Sequence, residues 1–171
     1  MNYSAIKTYD VADGLGVRVS LFVSGCKNHC KGCFQPETWD FNNGSLFTDN
    51  EMAYIIKELD KPYIKGITFL GGDPMELENQ VTVLSIIATI KKNLPEKDIW
   101  IYTGYHIEDF EEGAKRNIPL VTSKILRSSD VLVDGPFVES LKDLSLEFRG
   151  SSNQRLIDLK KTIASHEVIT L

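Results

Sequence analysis

Hydrophobic and polar positions along this chain switch between a period of two residues and a period of three to four, as strands and helices do when they alternate. Val17-Arg-Val-Ser-Leu-Phe-Val23 alternates and is closed by Ser24-Gly25, which predicts a strand running into a turn. Thr48 and Glu51 have capping-box spacing, and Met52, Ile55, Ile56 and Leu59 behind them share one helical face. Gly66-Ile-Thr-Phe-Leu70 predicts a second strand, broken by Gly71-Gly72-Asp73-Pro74. A helix follows from Glu78 to Asn93, with Val81, Leu84, Ile87 and Ala88 on one side, and Pro95 stops it. Asp98–Tyr102 predicts a third strand ending at Thr103-Gly104, and 107–115 a helix. Val131–Asp134 is a fourth strand ending at Gly135-Pro136. Arg155–Asp158 is a last short one, and the tail beyond Lys160 shows no pattern.

This order predicts an α/β fold, a small and incomplete (β/α) barrel of parallel strands joined by right-handed crossovers. A closed eightfold barrel needs about 250 residues, and this chain has 171, which we read as one domain over 1–171. The cysteine-bearing loop, the Gly-Gly-Asp-Pro turn, Thr103-Gly104 and Asp134-Gly135 all follow strands. Ligands of such sheets sit beyond the strands' C-terminal ends, so these segments are expected to converge.

Composition narrows the class. The chain is 42% hydrophobic and 25% charged, with a formal net charge of −5 and acidic and basic residues mixed throughout. That balance argues against a nucleic-acid partner, which calls for a basic face. Apolar runs such as Ile67–Leu70 and Val131–Val133 are strand-sized, so no membrane span is predicted. The first residues lack the apolar core of a secretion signal, and the expected location is the cytoplasm.

The chemistry is concentrated in Cys26-x-x-x-Cys30-x-x-Cys33, the three cysteines of the chain. An odd number excludes a complete set of internal disulfides. Three thiolates can bind three corners of a [4Fe–4S] cubane, leaving one iron open to a chelating small molecule. On spacing alone a Cys3His zinc site remains open, with His29 or a more distant histidine as fourth ligand. A Cys30-x-x-Cys33 redox pair leaves Cys26 without a role, and a ferredoxin needs a fourth cysteine. Gly71-Gly72 lets backbone approach a ligand, and Asp73 or nearby carbonyls could accept from an ammonium group. An ordinary tight turn, with Pro74 preparing the next helix, is the plain alternative.

Together these residues resemble the radical S-adenosylmethionine superfamily. More narrowly they resemble the activating proteins of anaerobic (class III) ribonucleoside-triphosphate reductases. The likeness rests on Asp13-Gly-x-Gly-x-Arg18, Leu21-Phe-Val-Ser-Gly-Cys26, Gly32-Cys33 with Thr38-Trp39, and Gly71–Pro74. It continues through Lys97-Asp-Ile-Trp100, Tyr102-Thr-Gly-Tyr105, Val131–Gly135 and Arg149-Gly-Ser-Ser-Asn-Gln154. The resemblance implies a radical SAM core with a [4Fe–4S] cluster on Cys26, Cys30 and Cys33. It implies S-adenosylmethionine against Gly32, Cys33, Phe34, Gly71, Gly72 and Asp73. Its implied partners are the large catalytic reductase subunit, which receives a glycyl radical, and a reduced flavodoxin-like electron donor. Activases of other glycyl-radical enzymes share this chemistry but are generally longer. The chain departs from the family's usual pattern at Phe34, where tyrosine is common, and at Asp13-Gly14-Leu15-Gly16, where Asn-Gly-Pro-Gly is usual.

Other residues keep two readings each. Arg18 suits a carboxylate of cofactor or partner, or a local ion pair. Trp39 and Trp100 read as packing residues, and His29 as a solvent-facing loop residue. Tyr102–Gly104 could line the site. Asp134 is catalytic by position or a turn former, and 149–154 is a docking surface or a plain loop.

Overall fold

The computed structural model describes residues Met1 to Leu171. Seven strands form one sheet: β1 (Asn2–Asp10), β2 (Val17–Val23), β3 (Ser45–Leu46), β4 (Ile64–Gly71), β5 (Asp98–Tyr102), β6 (Val131–Asp134) and β7 (Arg155–Asp158). Their order is β3-β1-β2-β4-β5-β6-β7. The middle four, β2, β4, β5 and β6, run parallel, as the alternating pattern predicts. β1 and β3 are antiparallel at one side and β7 at the other, so the expectation of an all-parallel strand set is corrected. β1 escapes a reading by periodicity. Its sequence alternates poorly, most of it is half-buried, and its pairing with β2 shifts register twice.

Four helices, α1 (Asp49–Leu59), α2 (Leu77–Asn93), α3 (Val121–Ser128) and α4 (Leu159–Ser165), contribute to a common core with the sheet. α1 starts at the predicted box: Glu51 Oε2 accepts from the Thr48 amide at 2.7 Å, and Thr48 Oγ1 accepts from the Asn50 amide. Along β2, Val19, Leu21 and Val23 join this core with Ile55, Leu59, Val83, Ile86, Ile87 and Ile90. Burying one such side chain contributes about 1.5–3 kcal/mol.

Two helical expectations are corrected. α2 buries Val83, Ile86, Ile87 and Ile90 behind Asn79 and Gln80, whereas Val81 is 61% exposed and Ala88 faces solvent. Its apolar residues are spread round the helix among polar ones, so periodicity alone selects a face only weakly. The face is set by buried amide groups: Asn79 donates to the Ser24 and Asp73 carbonyls, and Gln80 to those of Met75 and Arg116. The helix expected over 107–115 shrinks to a 3₁₀ turn, Ile107–Phe110, ahead of Gly113 at φ +85°. The regular helix of this region is α3, past Pro119. In the tail, Asp158 caps α4 by accepting from the Lys161 amide.

The other face of the sheet positions the site. Residues alternating with the core set, Phe22 on β2, Leu70 on β4 and Tyr102 on β5, line a cleft at the C-terminal end of the parallel strands. Further down the same strands that face buries polar groups: Arg18, Ser20 and Thr68.

Candidate functional site

The cysteine loop is stitched to the neighbouring turn by backbone hydrogen bonds. Gly72 donates to the Val23 carbonyl and Asp73 to that of Gly25, at 2.7 and 2.8 Å, continuing the β2–β4 pairing beyond the strands. A 3₁₀ turn, Pro36–Trp39, brings the chain back: Gly25 donates to Thr38 and Cys26 to Trp39. A Cβ on Gly72 would stand 2.7 Å from the Gly25 carbonyl oxygen and 2.9 Å from that of Thr38. Gly25, at φ +98°, faces the Phe41 ring, which a Cβ would meet at 2.1 Å. The close approach read into Gly72 is therefore an approach to the cysteine loop's own backbone.

Cys26, Cys30 and Cys33 are free thiols, half-buried, and all line the cleft. Burial, and then the Asp73 carboxylate, pushes the Cys26 thiol up to about 11, and burial raises Cys30 as well. Binding a metal here therefore displaces protons. The Asn28 amide group stands 3.7 Å from the Cys26 sulfur, and the Gln35 amide donates to the Cys33 sulfur at 3.5 Å. Gly32 takes φ +74° against the Glu139 carboxylate. Phe34 is 62% exposed and packs on Phe137, with ring centroids 5.1 Å apart. His29 is exposed and stacks on Trp39 at 4.6 Å.

Asp73 is fully buried, and its carboxylate is committed to protein donors. Oδ2 accepts from Asn28 Nδ2, Thr103 Oγ1 and the Gly104 amide at 2.9–3.1 Å, and Oδ1 from the Met75 amide at 2.9 Å. Burial still pushes this carboxyl up to about 7. Asp73 thus ties the cysteine loop, the Gly-Gly turn and the end of β5 into one unit. Asn28, which the sequence does not flag, is the link to the cysteines.

The four segments expected to converge do so. The cysteines, Gly71–Asp73, Tyr102–Gly104 and Gly135 surround a cleft of about 490 Å³, within the range of small-molecule sites. The far wall is the segment after β6, with Phe137, Leu144, Leu146, Phe148, Arg149 and Gln154. Tyr102 fastens it by donating to the Phe148 carbonyl at 2.7 Å. Gln154 shapes the 149–154 loop, accepting from the Gly150 and Ser151 amides and donating to the Gly135 carbonyl. Within that loop the Arg149 Nε is buried without a partner, an orphaned donor in a cleft-lining residue.

Several residues with two readings resolve to structural roles. Arg18 is buried at the start of β2, away from the cysteines, and pairs with Asp98 at 2.6 Å. Asp134 turns away from the cleft to meet Arg155, which also grips Glu108. His106, Glu108 and Asp134 are the grouping whose ligand atoms lie within 4.8 Å of one another, but Arg155 already occupies their carboxylates. His29 is exposed and its ring is held by stacking on Trp39. Three free thiols on one anchored loop beside a partly apolar cleft fit a cluster with an open corner and an organic ligand next to it.

The chain's likeness to known proteins agrees with this donor set. A family model described as a 4Fe-4S single cluster domain matches residues 12–157. An anaerobic ribonucleoside-triphosphate reductase-activating protein of Enterobacteria phage T4 is 40% identical over 156 residues, 91% of this chain and 93% of the relative. Proteins of the same name from Haemophilus influenzae and Escherichia coli K12 are each 40% identical, over 90% of this chain and 96% of their own length. The chain is thus a single-cluster iron–sulfur protein by class. It belongs to the family of anaerobic ribonucleoside-triphosphate reductase-activating proteins. No helix is long and apolar enough to cross a membrane.

Proposed function

We propose that this protein is a radical S-adenosylmethionine activase, built on a partial (β/α) barrel, that places a glycyl radical on an anaerobic ribonucleoside-triphosphate reductase. The observation that carries the reading is the placement of three free cysteines in a cleft that also takes in the Gly71-Gly72 backbone, several aromatic rings and a few polar side chains. When bound, a [4Fe–4S] cluster supplies the electron that splits S-adenosylmethionine into methionine and a 5′-deoxyadenosyl radical, which takes a hydrogen atom from the partner's glycine.

The chain's own residues prepare that event. Cys26, Cys30 and Cys33 would hold the cluster, and with no fourth cysteine in the chain a part of it would be open to the cofactor. Phe34, Gly71, Gly72 and Asp73 line the same cleft and would face the cofactor's methionine end, with Gly32 beside Cys33 against Glu139. Because the Asp73 side chain is occupied, it acts there by fixing Asn28, Thr103 and Gly104. Phe22, Leu70, Phe137 and Phe148 offer apolar surface that keeps water from a reactive radical. Arg149 brings an unused guanidinium donor to the same cleft for a carboxylate. The electron comes from a reduced flavodoxin-like protein, and the site of action is the cytoplasm.

Mixing the reconstituted, reduced protein and S-adenosylmethionine with the matching reductase subunit should yield a glycyl doublet by electron paramagnetic resonance. A cluster-loaded protein that cleaves the cofactor yet leaves every such subunit without the doublet would contradict the assignment of partner.

A further inference from the structure

Glu76 carries a carboxylate with no exposed surface, three residues beyond Asp73 and immediately before α2. Its Oε1 accepts from the Lys27 backbone amide at 2.7 Å and from the Tyr105 hydroxyl at 2.6 Å. Its Oε2 accepts from Arg116 Nη1 at 2.7 Å. The Arg116 guanidinium in turn lies 3.9 Å from the centre of the Tyr105 ring, and the Arg116 carbonyl is held by Gln80 from α2. Lys27 is the residue after Cys26, so this carboxylate grips the backbone of the cysteine loop from beneath. A turn or a helix start needs no such group. A buried carboxylate is costly unless paired, and this one is paired by a residue forty positions away.

We propose that Glu76 is a positioning residue for the cysteine loop: its carboxylate, balanced by Arg116, holds the backbone beside Cys26 and adds its charge to that of Asp73 near the first thiolate. The electrostatic half rests on the iron–sulfur reading above, while the positional half concerns the chain alone. Negative charge close to a cluster disfavours adding an electron, and positive charge favours it. Glu76 and Arg116 therefore act in opposite directions on the same group.

Amide hydrogen exchange at Lys27, read by NMR on metal-free protein, tests the positional half. E76A should exchange about tenfold faster there, as for the loss of one hydrogen bond to a charged acceptor. E76Q, which keeps an oxygen in place, should stay near wild type. An unchanged Lys27 rate in E76A overturns the proposal. If E76A fails to fold, midpoint potentials of cluster-loaded E76Q and R116Q decide it. The potential should move positive in E76Q and negative in R116Q, and shifts of one sign in both, or none in either, overturn the proposal. A wild-type protein that takes up no iron and sulfide would instead contradict the iron–sulfur reading, leaving the Lys27 exchange rate to decide the role of Glu76.

Discussion

Arg18 has no exposed surface, yet its guanidinium is fully engaged. It donates to Thr68 Oγ1, Leu15 O and Ile67 O at 2.7–3.0 Å, pairs with Asp98, and lies 5.2 Å from the Trp100 ring centre. Arg18→Met removes one member of a buried pair, and should lower the unfolding free energy by about 3 kcal/mol in urea titrations. A loss within error of zero would mean that Asp98, one-fifth exposed, is solvated without it. Asp13 and Asp10 form a second linked pair. Burial, and then Asp10, pushes the Asp13 carboxyl up to about 7. Asp10 is held low against its own burial by hydrogen bonds from Asp13 and the Ala12 amide. The unfolded chain releases the Asp13 proton near its ordinary value of 3.8, so the fold binds an extra proton between there and about 7. This group's contribution to stability therefore falls as pH rises through that window. Thermal melts should show wild type losing ground to Asp13→Asn between about pH 5 and pH 8, and parallel curves would contradict the pairing. At this scale the cysteines were legible because ligand chemistry resides in residue type and spacing. The partners of Asp73 were not, because Asn28 and Thr103 meet it only through the fold.

Among the elements, legibility followed how tightly local sequence constrains each one. The four parallel strands and α1 were readable from alternation and a capping box. β1 was not, because a half-buried strand outside the parallel set does not need a clean two-residue period. The face of α2 was half legible: Ile87 and Leu84 pack on the core, whereas Val81 and Ala88 face solvent, because side-chain amides help to orient its first turn. Asn79 among them binds the Ser24 and Asp73 carbonyls beside the site, so the part of the helix hardest to read is the part that supports the cleft. The Gly-Gly turn shows the same dependence. In Gly72→Ala the new Cβ would press on two backbone oxygens, neither of which can move without shifting the cysteine loop. We expect the sheet to survive and iron loading to fall sharply, measured as iron and sulfide per chain beside far-ultraviolet circular dichroism. Wild-type loading in a folded variant would show that the loop tolerates the displacement.

At the scale of the molecule, one face of the sheet is packed by helices while the other is left to a cleft and a wall of loops. A single-cluster family and relatives named as activating proteins of an anaerobic reductase give that cleft its context. Its own geometry adds three thiols without a fourth, a fully committed Asp73, and an Arg149 whose Nε has no partner. The cluster cysteines give the simplest control, since Cys26→Ala, Cys30→Ala or Cys33→Ala should each abolish cofactor cleavage while leaving the fold intact by circular dichroism. The central claim is that the open corner of a three-cysteine cluster cleaves S-adenosylmethionine. Its most direct test is to reconstitute the protein anaerobically with iron and sulfide, reduce it in the presence of S-adenosylmethionine, and quantify 5′-deoxyadenosine. The account predicts 5′-deoxyadenosine and methionine in equal amounts, dependent on the reductant. A fully loaded, fully reduced protein that binds the cofactor and returns it intact would contradict it.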